Sequence, residues 1–205
     1  MARLSREQSQ KRTRESLLES AREIFIRDGF AGASVDQIAE HAGYSKGAIY
    51  SNFRNKEALF LELLREHMRQ ELNGLQFLLE QSGSAREILI ALKSKYSSPD
   101  SQVPAMLSLE FQLHAVRHPE FAEPFAALYR NQRKAIAGLV RLFAKKAGIA
   151  EPANAGEIAT ALMGLTHGVA LQRAADPGSV PAAAAGRAIE MLLSAILIQS
   201  PADAW

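Results

Sequence analysis

The chain has 205 residues, 47% of them hydrophobic and 22% charged, with a formal net charge of +2, enough length for one large core or two unequal ones. It contains no cysteine, which excludes a disulfide framework and a thiolate metal site. No apolar run reaches the ~18 residues of a spanning helix, and the polar N-terminus lacks a signal-peptide core, so a cytoplasmic protein with no membrane partner is expected.

The charge is concentrated at the start. Residues 1–56 hold ten Lys/Arg against seven Asp/Glu, an excess of +3, while the remainder carries −1. Within residues 1–14, Arg3, Arg6, Lys11, Arg12 and Arg14 are offset only by Glu7. Residues 1–8 read as a flexible basic arm, and the asymmetry suggests a polyanion partner at one end. Alternating runs rich in Val, Ile and Thr are missing, whereas helical spacing recurs throughout, so the fold class is all-α.

"ESLLESAREIFIRDGF" sets Leu18, Ala21 and Phe25 on one face, with Gly29 at a C-terminal stop. Ser34 and Ser45 then stand as N-caps of two short helices, and Asn55 caps a long one that runs to about Glu80. Leu59, Leu63 and His67, with Leu64, Met68, Leu72 and Leu75, form its apolar stripe. Further helices are expected over 84–96, 104–118, 121–147, 154–174 and 181–198, punctuated by Pro99, Pro104, Pro119, Gly148, Pro152, Pro177, Gly178 and Pro181. The organisation is a three-helix head over 9–55 joined by a long helix to a larger helical body over 56–205.

The two short helices meet at "AEHAGYSK". A helix-turn-helix needs a small residue on its first helix, a glycine able to take positive φ at the turn, and an apolar residue on its second. Ala39, Gly43 and Ile49 supply these within a motif spanning 34–53. The second helix of such a motif enters the major groove by its N-terminal end. Gly47 is costly to helix stability, yet with Ala48 it leaves a nearly bare surface that lets the backbone approach bases and phosphates. Ser45 and Lys46 offer a hydroxyl and a cation for phosphate or a guanine edge. Tyr50 can reach a phosphate, while Ile49 and Phe53 face inward. Ser34 and Lys56, at the starts of their helices, suit further phosphate contacts. Tyr44 fits either turn packing or phosphate contact.

Over residues 21–60 the chain reads "AREIFIRDGFAGASVDQIAEHAGYSKGAIYSNFRNKEALF", which strongly resembles the TetR family of bacterial transcriptional regulators; the likeness extends over about residues 9–65. The resemblance implies a dimeric DNA-binding protein with a helical, ligand-binding and dimerising C-terminal domain, commonly a repressor released by a small molecule. Carried over by position, the DNA contacts are Ser34, Ser45, Lys46, Gly47, Ala48, Tyr50, Ser51 and Lys56. Ser51–Asn52 departs from the bulky aromatic or histidine that many members carry there, so no operator sequence is borrowed from a relative.

In the body, Ile158, Leu162, Leu165 and Val169, accompanied by Ala161, Gly164 and Gly168, form one stripe, and Ile189, Leu192, Leu193, Ile196 and Leu197 another. Two such helices from each subunit would make a four-helix homodimer interface. Two heads spaced for successive major grooves would then read an inverted repeat in double-stranded DNA. Candidates for lining an effector pocket are Met106, Glu110, Phe111, His114, Tyr129, Met163 and His167, with Arg133 as a partner for an anionic ligand. Glu110, His114 and His118 share a helical face, a spacing open to metal binding or to packing and capping; no metal or cofactor is assigned. No Gly-rich phosphate loop, cysteine nucleophile or organised Ser/His/Asp arrangement suggests an enzyme. The expectation is a repressor released by an unidentified small molecule; the alternative is an architectural protein that binds all duplexes alike.

Overall fold

The computed structural model describes residues 5–98 and 103–198, and among these every regular element is a helix. In chain order they are α1 (Arg6–Gly32), α2 (Val35–His41), α3 (Lys46–Asn52), α4 (Lys56–Gln81), α5 (Ala85–Lys95), α6 (Val103–Arg117), α7 (Pro119–Ala147), α8 (Ala155–Ala175) and α9 (Ala184–Ile198). No helix among the described residues is long and apolar enough to cross a membrane. The expected starts follow from local chemistry. The Ser34 hydroxyl accepts the Gln37 N–H while the Gln37 side chain accepts the Ser34 N–H, a reciprocal cap. Asn55 Oδ1 accepts the Ala58 N–H at 2.8 Å, and Pro119 occupies the first position of α7, where its missing N–H costs nothing.

The expected flexible arm over 1–8 needs correction. Ser5 caps α1 through a second reciprocal bond with Gln8, so residues 6–8 already form its first turn; residues 1–4 lie outside the described residues. Helical geometry breaks at Gly29, the predicted stop, where φ is 72°.

The chain divides into two compact units, and not at residue 55. One takes in residues up to His67 together with Leu107–Phe125; the other takes in Met68–Met106 and the residues from Ala126 on. The physical reason lies in the core of the first unit. Phe25 and Phe30 of α1 meet Phe60 of α4 edge-on, at centroid distances of 5.0 and 5.1 Å. Phe60 stacks on Phe111 of α6 at 4.8 Å. The beginning of α4 and most of α6 therefore bury their aromatics with α1. Leu17, rather than Leu18, shares the inner face of α1 with Ala21, Ile24 and Phe25.

The second unit is built on the packing of α5 against α9. Leu75 and Leu79 of α4, Ile88, Leu89 and Leu92 of α5, Phe143 of α7 and Ile189 and Leu193 of α9 form one buried cluster. A Cβ at Gly186 would lie 2.3 Å from the Lys93 carbonyl oxygen, so only glycine permits this approach of α9 to α5. Ala137, Val140, Ala155, Ile158 and Ala159 form a second cluster between α7 and α8. Three residues assigned to a dimer interface are thus corrected: Ile158, Ile189 and Leu193 are core of their own subunit. The outer side of these helices presents Ala161, Gly164 and Leu171 on α8 and Met191 and Ala195 on α9, all exposed, with Leu162, Leu165, Val169, Leu192 and Ile196 half-buried.

Candidate nucleic-acid interface

The turn between α2 and α3 is set by Gly43. Its φ of +74° lies in the left-handed region that glycine enters without penalty. This lets the Gly43 N–H donate to the Glu40 carbonyl at 3.0 Å and the Tyr44 N–H donate to the Ala39 carbonyl at 2.9 Å, the paired bonds of a Schellman stop. Nothing lies within 4 Å of where its Cβ would be, so conformation, not space, demands glycine. Ala39 and Ile49, the other two members of the predicted triplet, are both buried.

Long-range polar clamps hold α2 and α3 in place. The buried Ser20 hydroxyl of α1 donates to the Ile38 carbonyl at 2.8 Å and lies 3.0 Å from His41 Nδ1. Arg14 donates to the Asn52 carbonyl at 2.7 Å, pairs with Glu62 and sits over the Phe53 ring, 4.3 Å from its centroid. The Phe30 N–H donates to Glu110 of α6 at 2.6 Å. With Ile49 and Phe53 turned inward, the opposite side of α3 must face solvent.

That face carries most of the predicted contacts together. Ser45, Lys46, Gly47, Tyr50 and Ser51 are exposed, and Ala48 is half-buried. A Cβ at Gly47 would meet nothing nearer than Ser45 Oγ at 3.6 Å, so no contact among the described residues requires a bare position there. Lys46 Nζ donates to Asp36 Oδ2 at 2.9 Å, and this bond raises its pKa, holding the ammonium charged. The Ser51 hydroxyl donates to the Ala48 carbonyl.

Two further predicted contacts are also engaged within the chain. Ser34, half-buried, uses its hydroxyl in the α2 cap. Lys56 is engaged more extensively: Nζ donates to the Phe30 and Ala33 carbonyls at 2.8 and 2.9 Å and lies 4.5 Å from the centroid of the Phe30 ring. Burial lowers its pKa. These two bonds tie α4 to the end of α1 and use two of the three ammonium N–H groups. Conversely, Arg54 is exposed in the turn between α3 and α4, a position the sequence reading passed over although it adjoins the predicted Asn55 cap.

The effector candidates do not assemble as one set. Phe111 is buried among the aromatics of the first unit, Glu110 binds the Phe30 N–H, and His114 packs 4.8 Å from Phe30. Burial, aided by His118, lowers the His114 pKa against the opposing pull of Glu57. His114 and His118 stack at 4.2 Å, Glu110 is engaged elsewhere, and among the described residues no group of three could hold a metal. Met106, Tyr129, Arg133, Met163 and His167 belong to the second unit. Tyr129 and His167 are in ring contact at 6.1 Å, and Met163 is half-buried. Arg133 is exposed.

The sequence model of bacterial regulatory proteins of the tetR family matches residues 17–63, and that of the BetI-type transcriptional repressor C-terminal domain matches residues 97–198. The chain belongs to the TetR family. Among its TetR relatives is the transcriptional repressor AcnR of Corynebacterium efficiens, 29% identical over 53% of this chain; the match spans about half of that protein, 54%. The nicotine-responsive transcriptional repressor HdnoR of Paenarthrobacter nicotinovorans is 25% identical over 80% of this chain and 84% of its own length. The fold is also that of the Bacillus subtilis regulator FadR, solved in complex with stearoyl-CoA, with a TM-score of 0.68, 20% identity and coverage of 87% and 96% of the two chains. These TetR relatives are regulators of transcription, not enzymes.

Proposed function

We propose that this protein is a homodimeric, sequence-specific DNA-binding repressor of the cytoplasm, released from its operator by a small molecule bound in the second unit. One observation carries the proposal: α3 is locked by the buried Ile49 while its outward face offers Lys46, Gly47 and Tyr50 around a surface that no contact among the described residues requires to be bare. In the major groove, Gly47 and Ala48 admit the backbone to base edges, and Ala48 can meet a thymine methyl. Ser45, Lys46 and Tyr50 anchor the helix to phosphate or to a guanine edge, with Ser51 and Arg54 alongside. One seven-residue helix reads few base pairs, so two copies spaced by one duplex turn are needed. The exposed Ala161, Gly164, Leu171, Met191 and Ala195 face of α8 and α9 suits that pairing, since small residues allow close helix approach.

Effector control requires that the ligand bind the DNA-competent and released states with different affinity. Selection of bound sequences from random duplexes tests the core of the proposal. Enrichment of an inverted repeat is expected. Equal binding of the selected site and a scrambled duplex would overturn it in favour of an architectural protein.

A further inference from the structure

The buried face of α7 runs through Phe125, Leu128, Ala137, Val140 and Phe143. Gln132 interrupts it. Its Oε1 is buried and has no hydrogen-bond partner among the described residues. An unmet buried acceptor costs about 1–3 kcal/mol, so the position is unfavourable unless something else occupies it productively. Tyr129 lies one helical turn before Gln132 on the same side. Its ring contacts His167 of α8, where Met163 stands one turn back and Thr166 spends its hydroxyl on the Met163 carbonyl. A phenol and an amide thus stand one turn apart on α7, with the His167 imidazole of α8 against the phenol.

We propose that this cluster in the second unit binds an uncharged, largely apolar molecule carrying a hydroxyl, which satisfies the Gln132 amide between Tyr129 and His167. The proposal rests on the reading of this unit as the effector-binding half and specifies its ligand. A hydroxyl both donates and accepts, so it serves either orientation of the amide. Charge is excluded by what the cluster lacks. Tyr129, Gln132, Met163, Thr166 and His167 include no carboxylate, lysine or arginine, and burial lowers the pKa of His167, favouring the neutral ring. Among these five side chains an anion would find no cation to pair with, and an unpaired buried charge is costly. A quaternary ammonium would want several aromatic faces. Phe143 is consumed in the core and Tyr96 donates to Glu71, which leaves Tyr129 as the aromatic of the cluster.

The test is calorimetric titration of the full-length protein with three probes of one shape: 4-butylphenol, 4-butylbenzoate and 4-butylphenyltrimethylammonium. The phenol is expected to bind at least tenfold more tightly than either ion. Gln132→Leu, which removes the unmet acceptor, should weaken the phenol at least fivefold while raising Tm. Comparable binding of an ion, no binding of any probe, or unchanged phenol affinity in Gln132→Leu overturns the proposal. Operator affinity, measured with and without phenol, separates the two levels. Preferential phenol binding that leaves DNA affinity unchanged upholds the site and refutes effector control. Operator binding by a protein indifferent to all three probes refutes the site alone.

Discussion

Lys46 and Tyr50 project from α3 without supporting the core, so their removal should separate binding from folding. Lys46→Ala and Tyr50→Ala are each expected to weaken operator binding by about 1–3 kcal/mol, read by fluorescence anisotropy, with Tm and dimerisation unchanged. Gly47→Leu should do worse, because a bulky side chain fits the free protein but stands between the backbone and the groove. Histidines 114 and 167 contribute to the acid behaviour. Burial lowers both pKa values in the folded chain, so the unfolded state takes up protons first as pH falls. Their contribution is intact above the unfolded value of about 6.5 and declines as pH falls from there toward the folded values. Tm should therefore fall on acidification, and the fall should be shallower in His114→Gln and His167→Asn.

Lys56 illustrates why an element's ends are easier to read than its attachments. The caps at Ser34 and Asn55 join residues three apart, and such pairs are visible in sequence. Lys56 instead serves the carbonyls of Phe30 and Ala33, 26 and 23 residues away, and Glu110 serves the Phe30 N–H from 80 residues away. No periodicity reports such distances, so Lys56 reads as a phosphate contact and Glu110 as a pocket residue. The helix-turn-helix was legible because its triplet and turn are local; the packing of α6 with α1 and α4 was not, because Phe111 meets Phe30 and Phe60 only in the fold. Lys56→Met should lower stability by about 1–3 kcal/mol by stripping two carbonyls of their donor, measured by urea denaturation. A loss of operator affinity at unchanged stability would restore its role as a DNA contact.

At the scale of the proposed dimer, the outer faces of α8 and α9 would decide whether two heads act together. Ile158, Ile189 and Leu193 misled because a buried stripe looks the same whether it packs within a subunit or between two. Gly164 lies on the outer face, with nothing within 4 Å of where its Cβ would point. Gly164→Arg should thus leave the subunit folded while producing monomers in sedimentation velocity, with operator affinity falling accordingly. The internal clamps have a thermodynamic consequence. Proteins that neutralise phosphates displace counterions, so log K falls with log salt by about 0.9 per phosphate. Of the ten Lys/Arg in residues 1–56, Arg14, Arg27 and Lys46 already pair with carboxylates of their own chain, so their charge is partly offset before DNA docks. The salt slope should fall short of the basic count: Lys46→Ala, which removes a charge already offset by Asp36, should flatten it by less than about one unit per head. By offsetting part of its positive charge with its own carboxylates, the fold should leave DNA binding less dependent on dilute buffer than the basic count implies.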